Sequence, residues 1–145
     1  MNTTGPSSLQ PPDVLSAPWQ APADDLSRAM ASVDPVAFDA TSTLLKTFGG
    51  RWFIEGYGRS GLVARMFAMR LVHLDRTAHV VGDATTPAIQ ADDGYWAFSG
   101  SGRTPALLSH ASRAREIGAT IIAMTTDTGS PLAQLADVVL PIPKG

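Results

Sequence analysis

The 145-residue sequence has no cysteine, no long apolar run and no large excess of either charge. Without cysteine there can be no disulfide, no thiolate nucleophile and no thiolate metal ligand, a composition that fits a reducing compartment. No stretch approaches the roughly 20 apolar residues of a membrane-spanning helix. The N-terminus also lacks the charged start and apolar core of a signal peptide. These absences predict a cytoplasmic protein without a membrane partner. The net charge of −2 supplies no basic field for nucleic acid. What is present is ordinary globular composition, with 44% hydrophobic and 17% charged residues. The length suits one domain with a real core and is short for two.

Residues 1–22 contain Pro6, Pro11, Pro12, Pro18 and Pro22 among Ser and Thr, with Trp19 the one large hydrophobe. So few apolar groups predict a flexible Pro-rich segment, followed by a single domain over 23–145. From Asp24 the chain turns helical, with Leu26, Met30 and Val33 at three- and four-residue spacing. Asp34-Pro35 reads as an N-cap with proline at the first helical position, and Gly49-Gly50 closes that second helix. Strand-like runs then alternate with helices: strands at Trp52–Glu55, Ala78–Val81, Tyr95–Phe98, Ala119–Thr125 and Val138–Ile142. The helix from Leu62 to Leu74 is apolar almost all round, which predicts that it is largely buried. Thr104-Pro105 and Ser130-Pro131 open two more helices. Continuous apolar strands separated by helices predict an α/β fold, a three-layer α/β/α domain around a five-stranded parallel sheet.

Two Gly/Ser loops stand where a strand runs into a helix: Gly56-Tyr57-Gly58-Arg59-Ser60-Gly61 and Ser99-Gly100-Ser101-Gly102-Arg103-Thr104. A helix start presents unpaired N–H groups and the positive end of the helix dipole, so it attracts an anion. Glycines let the backbone come close, and Ser60, Ser99, Ser101 and Thr104 add hydroxyl donors, with Arg59 available as a cation. In open parallel sheets such loops gather at the carboxyl edge, where strand order reverses. The pattern predicts a phosphorylated small molecule as ligand. Gly56-x-Gly58-x-x-Gly61 also fits a dinucleotide fingerprint, but the acidic residue that would meet the ribose, Asp83, comes late, after Gly82. Neither loop has the Gly-Lys-Ser/Thr of a P-loop, and neither Ser60 nor Ser101 sits in a Gly-x-Ser-x-Gly elbow. His73, His79 and His110 have no metal-site spacing and read as ordinary surface or core histidines.

Gly56-x-Gly-Arg-Ser-Gly-Leu-Val, Thr85-Thr86-Pro87-Ala88-Ile89, Ser99-Gly-Ser-Gly-x-Thr104 and Ser130-Pro-Leu-Ala-Gln-Leu-Ala-Asp137 together resemble the 6-phospho-3-hexuloisomerases. These belong to the wider sugar isomerase (SIS) domain family, and the likeness runs from about residue 51 to 143. The resemblance implies a flavodoxin-like sheet of strand order 2-1-3-4-5, no cofactor, and a homodimer or homotetramer. It implies interconversion of a 3-hexulose 6-phosphate with fructose 6-phosphate through an enediol. It also makes Ser60, Ser99, Ser101 and Thr104 the phosphate ligands, with the backbone N–H groups of Gly100, Gly102 and Arg103 beside them. This sequence has Arg103 and Asp83 at positions where the family carries glutamate. The family's catalytic glutamate lies on a helix after the last strand, so the resemblance places the base, and that helix, beyond Gly145. Within residues 1–145 the substitutes are Glu55, Asp83 or a histidine. The alternative is a non-catalytic module that binds a sugar phosphate for sensing or assembly.

Overall fold

In a computed structural model of the protein, residues 17–144 are described. The chain divides after Ser32 into two compact units. The first unit contributes helix α1, Ala17–Ala31. This corrects the expected start of helix at Asp24: α1 begins seven residues earlier and runs through two prolines. Pro18 is tolerated because the first turn needs no N–H donors, whereas Pro22 forfeits one internal bond. The flexible segment expected before it falls, up to residue 16, outside the described residues.

The second unit, Val33–Lys144, is the α/β domain. Its elements are α2 (Pro35–Thr47), β1 (Trp52–Gly56), α3 (Arg59–Val72), β2 (Ala78–Val80), β3 (Gly94–Phe98), α4 (Pro105–Ile117), β4 (Thr120–Thr125), α5 (Pro131–Leu135) and β5 (Val138–Pro141). All five strands are parallel, in the order β2-β1-β3-β4-β5. Period-two alternation splits the strand side chains between two cores. Trp52, Ile54, Trp96, Phe98 and Ile122 face α2 and α3, while Phe53, Tyr95, Ala97, Ile121 and Ala123 face α4 and α5. β2 and β3 are joined by 81–93 without a helix, and Val81 and Ile89 of this segment pack on the α4 side.

At the amino end of the sheet, Arg51 and Asp93 close the gap between the starts of β1 and β3. The Arg51 Nε donates to Asp93 at 2.9 Å and its Nη2 at 2.6 Å. Burial works against the Asp93 carboxylate, but the hydrogen bonds from Arg51 and the Gln90 N–H prevail and hold it below the usual carboxylate range. The polar loops therefore collect at the other end.

One expectation about packing is overturned. Helix α3 buries only Ala64, Ala68 and Leu71, and it leaves Leu62, Val63, Met66, Met69 and Val72 exposed. Its three buried side chains are small or spaced along one stripe, so a single sheet face can cover only that stripe. The remaining apolar surface faces outward, and none of the described elements of Val33–Lys144 covers it.

Candidate sugar-phosphate site

The register pairs Gly56 with Phe98, so the two Gly/Ser loops leave the sheet side by side at the end of adjacent strands. β1 and β3 are also the strands between which chain order reverses, since β2 lies outside β1 and β4 outside β3. That is the switch point at which open α/β sheets form their ligand crevice.

The first loop is a tight turn. A Cβ at Gly56 would come within 2.7 Å of the Ser60 carbonyl oxygen, and one at Gly61 within 2.7 Å of the Gly56 oxygen. Gly58, at φ +56°, is the N-cap of α3 and offers no side chain to the helix start. In the second loop the Gly102 N–H donates to the Ser99 hydroxyl at 3.1 Å, and the Arg103 N–H to the Ser101 hydroxyl at 3.2 Å. The Ser99 and Thr104 hydroxyls lie 3.3 Å apart. The Gly100 carbonyl is fastened by the Thr126 N–H at 2.9 Å and by the hydroxyls of Thr125 and Thr126 at 3.1 and 2.8 Å. The Gly102 and Arg103 N–H groups are spent inside the loop, while the Gly100 N–H has no intrachain acceptor among the described residues.

The helix starts divide into two kinds. Asp34 caps α2, accepting from the Val36 N–H at 2.8 Å, and Ser130 caps α5, accepting from the Ala133 N–H at 3.3 Å. Gly58 and Thr104 make no side-chain cap on α3 and α4. Thr104-Pro105 thus has the residues of a cap without its hydrogen bond. The two helices that follow Gly/Ser loops carry no side-chain cap, although the Gly61 N–H bonds the Gly58 carbonyl and Pro105 has no N–H to offer, and an uncapped helix start suits an anion.

The candidate side chains are placed unequally. Ser99 is buried, Ser60 and Thr104 are half-buried, and Ser101 and Arg59 are exposed. Arg103 turns aside to Asp127 at 2.9 Å, which holds the Asp127 carboxyl below its usual range. Asp83 is paired with Arg65 of α3 at 2.8 Å and lines a hollow with Met69 and Val72, on the α3 side of the sheet. Glu55 is on the α4 side and only 3% exposed. Its Oε2 accepts from the Tyr95 hydroxyl at 2.5 Å, and its Oε1 lies 2.8 Å from the His110 Nδ1. Asp83 and Glu55 are therefore not brought together. Burial, followed by the charge of Glu55, pushes the Tyr95 phenol well above its ordinary value, so it remains a donor.

Residues 49–145 match the SIS domain family. The chain belongs to this family. It is 48% identical over 122 residues to the 3-hexulose-6-phosphate isomerase of Mycobacterium gastri, a match covering 83% of this chain and 60% of that protein. A crystal structure of a hypothetical protein superposes with a TM-score of 0.83 at 32% identity, covering 90% of this chain and 69% of the other. A second, from Methanococcus jannaschii, for which a molecular function of 3-hexulose-6-phosphate isomerase is inferred, gives 0.66 at 38% identity, covering 72% and 60%. This SIS chain spans about half to three fifths of the length of the curated relatives it matches. The implied strand order 2-1-3-4-5 is the observed one. No described helix is long and apolar enough to cross a membrane.

The cluster of Glu55, Tyr95 and His110 was missed from sequence. Its members are 40 and 55 residues apart, and no local spacing joins them. One signal was available: a carboxylate in a strand otherwise made of Trp, Phe, Ile and Gly must find partners if that strand is central.

Proposed function

We propose that this SIS domain holds a phosphorylated sugar at the carboxyl edge of its sheet and serves the interconversion of a 3-hexulose 6-phosphate with fructose 6-phosphate. The observation that carries this reading is the pair of uncapped helix starts beside adjacent strands, dressed with the hydroxyls of Ser60, Ser99, Ser101 and Thr104. The similarity to proteins named 3-hexulose-6-phosphate isomerase supports the choice of sugar. The reaction moves a carbonyl from C3 to C2 through an enediol, so one carbon is oxidised as its neighbour is reduced and no outside oxidant is required. The phosphate anchors the chain of carbons, and a proton must travel from C2 to C3.

Sugar-phosphate binding without turnover is the second reading, and one observation favours it. Glu55 and Asp83, the carboxylates expected as substitute bases, are both already engaged by other side chains. In either reading the exposed apolar stripe of α3 supports self-association, since Leu62 is 66% and Met66 67% exposed.

Calorimetric titration with fructose 6-phosphate tests the site. Ser101→Ala is expected to weaken binding by about 1–3 kcal/mol, the cost of a lost hydrogen bond to a charged group. Unchanged affinity in that variant removes Ser101 from the site.

A further inference from the structure

Glu55 sits near the end of β1, Tyr95 in β3 and His110 on the second turn of α4, and one carboxylate joins all three. Burying a carboxylate in an apolar strand is costly unless its charge is met. Here both oxygens are met, by the Tyr95 hydroxyl and the His110 ring, which ties Glu55 into the protein. His110 is different. Its side chain is 50% exposed, and only its Nδ1 is engaged.

A carboxylate facing Nδ1 requires Nδ1 to carry the hydrogen, so in the neutral ring the lone pair is on Nε2. That is the tautomer of a general base, and a carboxylate behind the ring steadies the imidazolium formed when a proton arrives. The ring lines a cavity of about 190 Å³ on the α4 side of the sheet, together with Phe53, Val81, Thr86, Pro87 and Tyr95. Mostly apolar walls strengthen whatever hydrogen bonds are made against them. Arg113 is the other charged residue on the same wall. His110 also follows Thr104 of the second loop by six residues of helix, a rise of about 9 Å. An open-chain hexose phosphate can bridge such a span from a phosphate held at the helix start.

We propose that His110, oriented by Glu55, is a group of this chain that carries a proton during isomerisation of the bound phosphosugar, with Glu55 as its positioning residue. The inference rests on the sugar-phosphate reading above. From the 3-hexulose side, Nε2 takes the C2 hydrogen as a proton. The electron pair of that C–H bond forms the C2=C3 double bond, and the carbonyl pair moves onto the C3 oxygen. The C3 oxygen takes the proton of the C2 hydroxyl. The C2 oxygen then re-forms a carbonyl while the C2=C3 pair accepts the imidazolium proton at C3. Every proton and electron pair is returned.

The test uses the 145-residue chain and fructose 6-phosphate in deuterated water, with exchange of the C3 hydrogen followed by NMR and affinity by calorimetry. The expected result is exchange in the wild type and a fall of about 10²–10⁴-fold in His110→Gln, the usual range for general-base catalysis, with affinity little changed. Glu55→Gln also slows exchange. Nitrogen-15 NMR of the imidazole should report hydrogen on Nδ1 in the wild type and its transfer towards Nε2 in Glu55→Gln, whereas a carboxylate that only held the fold together would leave the exchange rate unmoved. Exchange at the wild-type rate in His110→Gln overturns the proposal, as does a wild type that binds without exchanging or whose neutral His110 carries its hydrogen on Nε2. A wild type that does not bind fructose 6-phosphate overturns instead the reading on which the proposal rests.

Discussion

The two loop–helix units of this domain are built alike on the inside and differently on the outside. Helix α3 buries Ala64, Ala68 and Leu71, and α4 buries Leu107, Ala111 and Ala114, each a set at positions i, i+4 and i+7. Small residues in that pattern let either helix lie close on the sheet and carry its loop to the carboxyl edge. Outward, α3 presents Leu62, Met66, Met69 and Val72, whereas α4 presents Ser109, His110, Arg113 and Glu116. The inner face fixes where a helix start points. The outer face decides what the helix can meet, and it is apolar on α3 and polar on α4.

Breaking the outer face of α3 should give the largest effect. Met66→Glu places a charge amid the apolar stripe, and self-association is expected to weaken at least about thirtyfold, as for loss of a 2 kcal/mol hot spot. Sedimentation or light scattering reads the change. A wild-type chain that is monomeric at micromolar concentration ends the idea that this face is covered by a second copy.

An effect of comparable size is expected from the anchoring of the second loop. Gly102 sits at φ +61°, and a Cβ there would come 2.1 Å from the Ser130 hydroxyl oxygen. Gly102→Ala should lower stability by more than about 2 kcal/mol, from the left-handed backbone together with the clash. Urea unfolding measures it. The first loop offers a contrast that sharpens the comparison, because nothing stands within 4 Å of a Cβ at Gly58, so alanine there meets backbone strain alone.

The smallest effect concerns Asp127. Its carboxyl is held below the ordinary range by Arg103, and then by the Gly129 N–H, so the favourable contribution is present above the unfolded pKa and lost as pH falls through the folded one. The pair is exposed and screened by salt. Asp127→Asn is therefore expected to leave the neutral-pH melting temperature almost unchanged, while flattening its decline on the acid side. Melting curves at neutral and acidic pH check this.

Much of the architecture was legible because the residues that form it act locally. Asp34-Pro35, Thr104-Pro105 and Ser130-Pro131 marked three helix starts, and Gly118 at φ +93° closed α4 as glycine does at a helix end. The loops could be found because glycine and serine after an apolar strand have few other uses. What was hidden depends on contacts remote in sequence. The apolar ring of α3 promised burial, but composition does not say how many layers surround a helix. Thr104 had the residue type of a cap, yet its hydroxyl lies nearest Ser99. Pro22 concealed the true start of α1, where tolerance depends on position within the turn. His110 looked like any mid-helix histidine until β1 brought Glu55 beneath it.

The placement of the tryptophans has an optical consequence. Trp52 and Trp96 stand edge to face, with ring centroids 5.6 Å apart, and Phe48 and Phe67 pack around them, all on the α3 side. Both indole nitrogens are buried without a hydrogen-bond partner. Dry, unbonded indoles emit at the blue end of the tryptophan range, whereas the exposed Trp19 of α1 emits at the red end. The domain's intrinsic fluorescence therefore watches one side of its sheet. Events that open or cover the α3 face will change the colour of that light, while changes confined to the cavity beside His110, across the sheet, leave it as it was.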